Sequence, residues 1–341
     1  MKEQRIGLLA IQEAHLNKET VNQIHKMYGR RLRVLYSKDP DTDNARGVAF
    51  VINRELTNLN GLKVVELIPG RAMHVELDWH GTQKLTAINV YAPNAASENT
   101  TFWEHLRTAA LDKGVAHPMM LLGDFNNVEE AIDRVPTKED PEQVVSSLQN
   151  TIREWSLQDG WRTGEPTAKG YTFPQRGSTS GSRLDRIYAS KDIMKASDAW
   201  DIVTTSIPTD HKLVLAYIST RQCPFIGKGR WVIPTKLLTD IEYIHAIEAA
   251  RRTALIEMEN SKGNRTEEHN PQTIYQALKR NIRSIAQRRL KKLIPKLRIT
   301  TARLKTEITE IQQKAAFTTS EELQHEAAIL QERLQRKVCG E

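Results

Sequence analysis

A chain of 341 residues has room for more than one core, and its 39% hydrophobic and 27% charged residues are the balance of a folded globular protein. It holds no run of eighteen apolar residues, and Lys2-Glu3-Gln4-Arg5 after Met1 opens no stretch of signal-peptide type, so a membrane-spanning or secreted protein is not expected. Residues 1–221 carry 27 Lys and Arg against 28 Asp and Glu, whereas 222–341 carry 22 against 14, so the net +7 arises in the second part. A basic segment beside a near-neutral domain points to a polyanionic partner, nucleic acid before membrane. Cys223 and Cys339 lie far apart in no metal-type spacing, as expected of an intracellular, reducing location without structural disulfides.

Residues 5–11 read as a buried strand that ends in Gln12-Glu13, and 18–28 have the apolar spacing of a helix (Val21, Ile24, Met27). Strands are expected at 47–52 and 62–68, then a hairpin of 72–79 and 84–91 turning at His80-Gly81-Thr82. Its second arm is apolar on both faces, which belongs inside a layered structure, and it runs into Tyr91-Ala92-Pro93-Asn94. A helix over 97–111 follows, with Ser97 as its cap. Met119-Met120-Leu121-Leu122 then runs straight into Gly123-Asp124-Phe125-Asn126, a buried strand releasing an acid and an amide into a tight turn. A helix at 141–157, Tyr171-Thr172-Phe173, a Gly/Ser loop over 176–182, Arg183-Leu184-Asp185-Arg186, a strand near Ile202 and Thr209-Asp210-His211 lead into a last strand at 212–218.

The character changes near 221. A domain over 1–220 is followed by a linker at 221–234, with Cys223-Pro224 and the glycines 227 and 229. The region 235–341 reads as all-helical, with helices at 237–258, 271–293, 296–315 and 321–338 and apolar repeats of bundle or coiled-coil type. Within it, 279–298 carries nine Lys or Arg and no acid. Arg288, Arg289, Lys291 and Lys292 are its densest part, a candidate surface for DNA or for RNA.

Collected together, the strand ends present Glu13, Tyr91, Asp124 with Asn126, Thr172, Asp185, and Asp210 with His211. Four acids converging on one pocket repel unless a cation or protonation relieves them. Carboxylate ligation without cysteine suits Mg²⁺ or Mn²⁺ rather than zinc. Such an ion shields the charge that builds as an oxygen leaves phosphorus, while neutral donors hold phosphate oxygens and a carboxylate orients the imidazole. This is the inventory of phosphodiester hydrolysis.

The order Gln12-Glu13, Tyr91-Ala92-Pro93-Asn94, Gly123-Asp124-Phe125-Asn126, Arg183-Leu184-Asp185 and Thr209-Asp210-His211 resembles the endonuclease/exonuclease/phosphatase superfamily over residues 1 to about 220. The branch it is most similar to is the apurinic-endonuclease-like domain of non-LTR (LINE-type) retrotransposons. The resemblance implies an α/β fold, a four-layer α/β/β/α sandwich of DNase I type, here followed by the helical extension. It implies a Mg²⁺-dependent, DNA-nicking endonuclease working in the nucleus. By position it makes Glu13 the main metal ligand and Asp210 the second acid near the metal. Asp124 would orient or deprotonate water, Asn126 and Tyr91 would contact the scissile phosphate, and Asp185 would orient His211. Thr172 would line the DNA-facing side, and a basic loop of Arg176, Arg183 and Arg186 would meet the substrate. Whether Asp124 or His211 takes the proton of the water stays open.

Two departures stand out. Thr209 replaces the usual Ser, keeping a hydroxyl. The family's opening strand, with its active-site Asn, has no counterpart before residue 5, and no polymerase-like pair of aspartates follows. The chain therefore reads as a fragment, expected to be poorly soluble and nearly inactive as it stands. The competing readings are a superfamily phosphatase or phosphodiesterase on a phosphoinositide, a sphingolipid or an RNA tail, and an inactive remnant whose basic tail binds nucleic acid.

Overall fold

In a computed structural model of the chain, the described residues are 5–41, 46–79, 83–174, 180–204, 209–219, 232–318 and 320–339. The expected turn at His80-Gly81-Thr82, Arg176 and most of the linker lie outside them. There are two compact units, Met1–Pro224 with Ile311–Ala328, and Phe225–Glu310 with Ile329–Glu341.

The first unit opens with β1 (Leu8–Gln12), α1 (Lys18–Tyr28), β2 (Leu32–Ser37) and β3 (Val48–Asn53). Next come β4 (Lys63–Ile68), β5 (Ala72–Trp79), β6 (Gln83–Tyr91), α2 (Ala96–Asp112) and β7 (Met120–Asp124). The short β8 (Arg134–Val135) precedes α3 (Glu142–Glu154), β9 (Leu157–Asp159) and α4 (Gly160–Gly164). Then follow β10 (Phe173–Pro174), β11 (Gly181–Ser182), β12 (Asp185–Ser190), α5 (Lys191–Ala196), β13 (Ser197–Val203) and β14 (Leu213–Ile218).

Two sheets face one another. The smaller has the order β1-β3-β2 and is antiparallel throughout. The larger runs β4-β5-β6-β7-β12-β9, with only β6 and β7 parallel because α2 carries the chain back between them. β13 and β14 form a separate ribbon, so among the described residues β1 pairs with β3 alone and β14 with β13 alone.

Three apolar seams make four layers of this. Val21 of α1 meets Val34 and Val51 on the outer face of the small sheet. Val48, Phe50 and Ile52 of β3 pack between the sheets against Met73, Val75, Leu77 and Ala87. All six residues of β3 are buried, which is why it reads as an unbroken apolar run rather than an alternating one. On the far face, Phe102, Trp103 and Leu106 of α2 and Leu148 of α3 cover Ile88, Val90 and Leu121. The fold is the α/β/β/α sandwich, followed by helices.

Local differences from the sequence expectation have local causes. β2 was not expected, because Arg33, Tyr36 and Ser37 interrupt its apolar residues, yet Val34 and Leu35 are buried. Ser97 is not a cap: α2 starts a residue earlier, after Ala95, with no side-chain cap bond. After β14 come α6 (Ile241–Asn260), α7 (Pro271–Gln313) and α8 (Glu321–Cys339), of which 311–313 and 321–328 belong to the first unit. The break expected at Pro295 does not occur, and α7 is one helix through it. Proline removes one backbone bond, while Ile285, Ala286, Leu290 and Leu293 hold the preceding turns in a core with Leu237 and Tyr243.

His74 is a strained point in the larger sheet. It lies between Val65 and Ile88 on the neighbouring strands, buried, and neither ring nitrogen has a hydrogen-bond partner among the described residues. Burial lowers its pKa from 6.5, with Glu76 pulling the other way. The folded protein thus holds His74 neutral where the unfolded chain takes up a proton, so stability falls as pH drops below about 6.5. His74→Leu is expected to melt with a shallower pH dependence than the parent between neutral and mildly acidic pH; parallel melting curves for the two would contradict this.

Candidate active site

The site gathers where strands of both sheets end. Asn89, fully buried in mid-β6, donates from Nδ2 to the carbonyls of Ile11 (3.0 Å) and Ala49 (2.9 Å) on the opposite sheet. Its Oδ1 accepts from Gln12 Nε2 at 2.5 Å. The end of β1 is thus pinned from across the sandwich just before the chain turns at Glu13, in a left-handed conformation with φ 49°. Two residues along β6, the Tyr91 hydroxyl donates to Glu13 Oε1. Burial, then Glu13, raise the Tyr91 pKa far above its usual range, so it remains a donor. Arg71 lies over the ring, 5.4 Å from its centre, and donates to the Tyr91 carbonyl.

Asp124 is delivered by a strand that needs glycine. At Gly123 φ is +145°, and a Cβ there would stand 1.9 Å from the Val90 carbonyl oxygen of the adjacent β6. Past it, Asp124 Oδ1 accepts from the Asn126 amide at 2.9 Å, and Asn126 Nδ2 donates to Ala92 O at 2.8 Å. Phe125 between them is buried and stacks on Trp103, which locks the turn to α2. On β12, Asp185 is the register partner of Asp124. His211, just ahead of β14, donates from Nδ1 to Asp185 Oδ2 at 2.8 Å and packs beside the Phe173 ring at 4.8 Å.

These placements concentrate charge. Burial, then the neighbouring Asp185, push the Asp124 carboxyl up to about 7, against the pull of the Asn126 amide and His211. For His211 burial works against the proton, but the Asp185 hydrogen bond and the charges of Asp185, Asp124 and Asp210 prevail and raise it to about 9. Ligating atoms of Asp124, Asp185 and His211 lie within 4.8 Å of one another. Two carboxylates side by side, one of them buried and held up by like charge, suit a hard divalent cation that would relieve the repulsion, with His211 beside it as a proton donor. Of the two residues expected to hold a metal, Glu13 is exposed, tied to Tyr91, and adds its charge to that of Asp124. Asp210 is exposed and acts on His211 through its charge; neither belongs to the trio.

The expected substrate contacts fare differently. Thr172 is fully buried, and its hydroxyl accepts from the amides of Leu184 and Asp185, both at 3.0 Å, so it positions Asp185 rather than lining an open face. Arg183 is also buried, its guanidinium bound to both oxygens of Asp133 (2.6 and 2.8 Å) and to Asp159 (2.6 Å). Arg186 is buried too, against Asn127 and Tyr188. A guanidinium buried and spent on acids, as in Arg183, or on an amide, a phenol and backbone carbonyls, as in Arg186, cannot meet a ligand, so both are corrected from substrate contacts to braces behind β12. Arg288, Lys291 and Lys292 are exposed on α7, whereas Arg289 is paired with Asp240 and Glu242.

Asn89, Asp133, Phe173 and Arg71 were not singled out from the sequence. For Asn89 a signal existed, an amide in the middle of an apolar strand. Asp133 carried none, because its partner is fifty residues away. Burial would raise the Asp133 carboxyl, but Arg183 bonded to it, with Arg186 and Arg162 nearby, holds it below the usual range. Asp133→Ala leaves Arg183 buried without its main counter-charge and is expected to lower unfolding stability by about 3–5 kcal/mol in denaturant titration. A loss under about 1 kcal/mol would show that the network does not brace β12.

The sequence pattern of the Endonuclease/Exonuclease/phosphatase family matches residues 1–211. The "Transposon TX1 uncharacterized 149 kDa protein" of Xenopus laevis is 32% identical over 183 residues, 52% of this chain and only 14% of that protein. Among solved structures, AP endonuclease LMAP from Leishmania major superposes with TM-score 0.53 at 16% identity, over 64% of this chain and 80% of its own. An AP endonuclease from Archaeoglobus fulgidus gives 0.50 at 19% identity, over 64% and 91%. These two share the fold, while the pattern match spans the strand ends that gather Glu13, Tyr91, Asp124, Asp185 and His211. On that match the chain belongs to the Endonuclease/Exonuclease/phosphatase family.

Proposed function

We propose that the first unit is a magnesium-dependent endonuclease of retrotransposon origin that nicks DNA by hydrolysing one phosphodiester bond. The observation that carries this reading is the close set of Asp124, Asp185 and His211 beside the Glu13–Tyr91 pair. The similarity to a transposon protein supports the origin, and the AP endonucleases that share the fold support DNA as the substrate class.

The residues divide the work. His211 engages Asp185 through Nδ1, so its Nε2–H is the group that donates to a non-bridging phosphate oxygen. Asp124, held at a pKa of about 7, accepts a proton from the attacking water in its carboxylate form. The water oxygen bonds to phosphorus, the bond from phosphorus to the leaving sugar oxygen breaks, and that oxygen takes a proton from solvent. Asn126 steadies the phosphate with the amide hydrogen not given to Ala92, Tyr91 does so when its hydroxyl turns from Glu13 to the phosphate, and Thr172 holds the backbone of Asp185. Glu13 with the Asp124–Asp185 pair would hold Mg²⁺ or Mn²⁺, Asp210 adding its charge, and the ion would offset the negative charge of the transition state.

Relaxation of supercoiled plasmid tests the reading. Nicking is expected in Mg²⁺, is lost on chelation, and returns with added Mg²⁺ or Mn²⁺. Asp124→Ala is expected to lower the rate by about 10²–10⁴. Nicking that survives both chelation and Asp124→Ala overturns the assignment. Turnover of a phosphoinositide, a sphingolipid or an RNA tail with plasmid left intact moves the function to another phosphoester.

A further inference from the structure

The second unit carries a feature that the active site does not use. Between positions 279 and 298 α7 bears nine Lys or Arg and no acid. Its packing side is apolar: Ile285, Ala286, Leu290 and Leu293 sit in a core with Leu237 and Tyr243. One of the nine, Arg289, is neutralised within the unit, bonded to Asp240 (2.8 and 2.9 Å) and to Glu242. The other eight are exposed. Arg280, Lys291 and Arg298 are eleven and seven residues apart, about three and two helical turns, and so lie along one line. That line is about 140° around the helix from Ala286, away from the core.

Such a face works against its own helix. Arg288 and Lys292, Lys292 and Lys296, and Lys279 and Arg283 are like-charged pairs at i,i+4, each of which weakens a helix. Of the other helices, α6 mixes Glu248, Glu257 and Glu259 with Arg251 and Arg252, and α8, although it has like-charged pairs in Glu322–Glu326 and Arg333–Lys337, carries both signs. A run of nine charges of one sign, on an exposed face and with no acid within 279–298, marks a surface that suits an external polyanion. The face is about 28 Å long, and a duplex carries a charge about every 1.7 Å along its axis, so the two match over several phosphates.

We propose that the exposed face of α7 is a second nucleic-acid site, separate from the nuclease centre, that grips the phosphate backbone of a duplex without reading its sequence. Its part is to retain the polymer rather than to cut it. The site does not depend on the chemistry assigned to the first unit, so either proposal stands if the other fails.

The full chain, kept in chelator so that nothing is cut, is titrated with a labelled DNA duplex at about 50 and about 200 mM salt. The joint variant Arg280→Gln, Arg288→Gln, Lys291→Gln and Arg298→Gln is expected to bind at least about tenfold more weakly at the lower salt. Its salt dependence should be shallower by about 0.9 in log–log slope for each contact removed. Exchanging the same four between Arg and Lys conserves charge and should keep the affinity, which separates lost charge from a damaged helix. A control variant with Lys18, Lys26, Lys191 and Lys195 changed to Gln, all exposed in the first unit, should bind as the parent does. Duplex RNA of equal length is expected to bind as well as DNA. Unchanged affinity and slope in the α7 variant, or an equal loss in the control, overturns the proposal.

Discussion

The sandwich and its site depend on one buried amide. Asn89 has no exposure to solvent, and both ends of its side chain are engaged, two donations across to the small sheet and one acceptance from Gln12. A polar side chain in an apolar seam is tolerable only when so satisfied. Because its partners are the carbonyls of Ile11 and Ala49, satisfying it also sets how the sheets slide relative to one another. Glu13 follows Gln12 directly, and Tyr91 follows Asn89 by two residues on the same face of β6. The Glu13–Tyr91 contact is therefore a by-product of sheet alignment rather than a separate adjustment.

A second constraint is electrostatic. Strand register sets Asp185 opposite Asp124, which places two carboxyls side by side in a buried corner. The fold answers with His211 in front and with a wholly internal ion cluster behind, where Asp133 and Asp159 take up Arg183. The rear cluster holds the start of β12 stiffly, while the front pair is left under strain that a proton or a cation relieves. Rigid support behind and unresolved charge ahead is how a site keeps its geometry while staying reactive.

What could be read in the chain beforehand was what short-range pattern records. Apolar runs ending in an acid marked β1 and β7, and five motifs in order placed Glu13, Tyr91, Asp124, Asp185 and His211. What pattern does not record is the partner. Arg183 and Arg186 look like a basic loop because the acids and carbonyls that take them up are distant in sequence. Thr172 looked like a surface hydroxyl for the same reason. β2 escaped notice because a strand interrupted by Arg33 owes its existence to pairing with β3, and α7 runs through Pro295 because packing outweighs a local preference.

Gly123 gives the first unit a particular relation to mutation. Every amino acid one nucleotide change away from a glycine codon adds at least a Cβ, and at this position the Cβ would fall 1.9 Å from the Val90 oxygen. No rotamer change can make room, because the obstacle is backbone in the centre of the larger sheet. In related chains, any such change at this codon would therefore displace the strand end, whichever residue it introduced. A glycine kept here among relatives whose surfaces have diverged would record that the strand ends beside it were still under use.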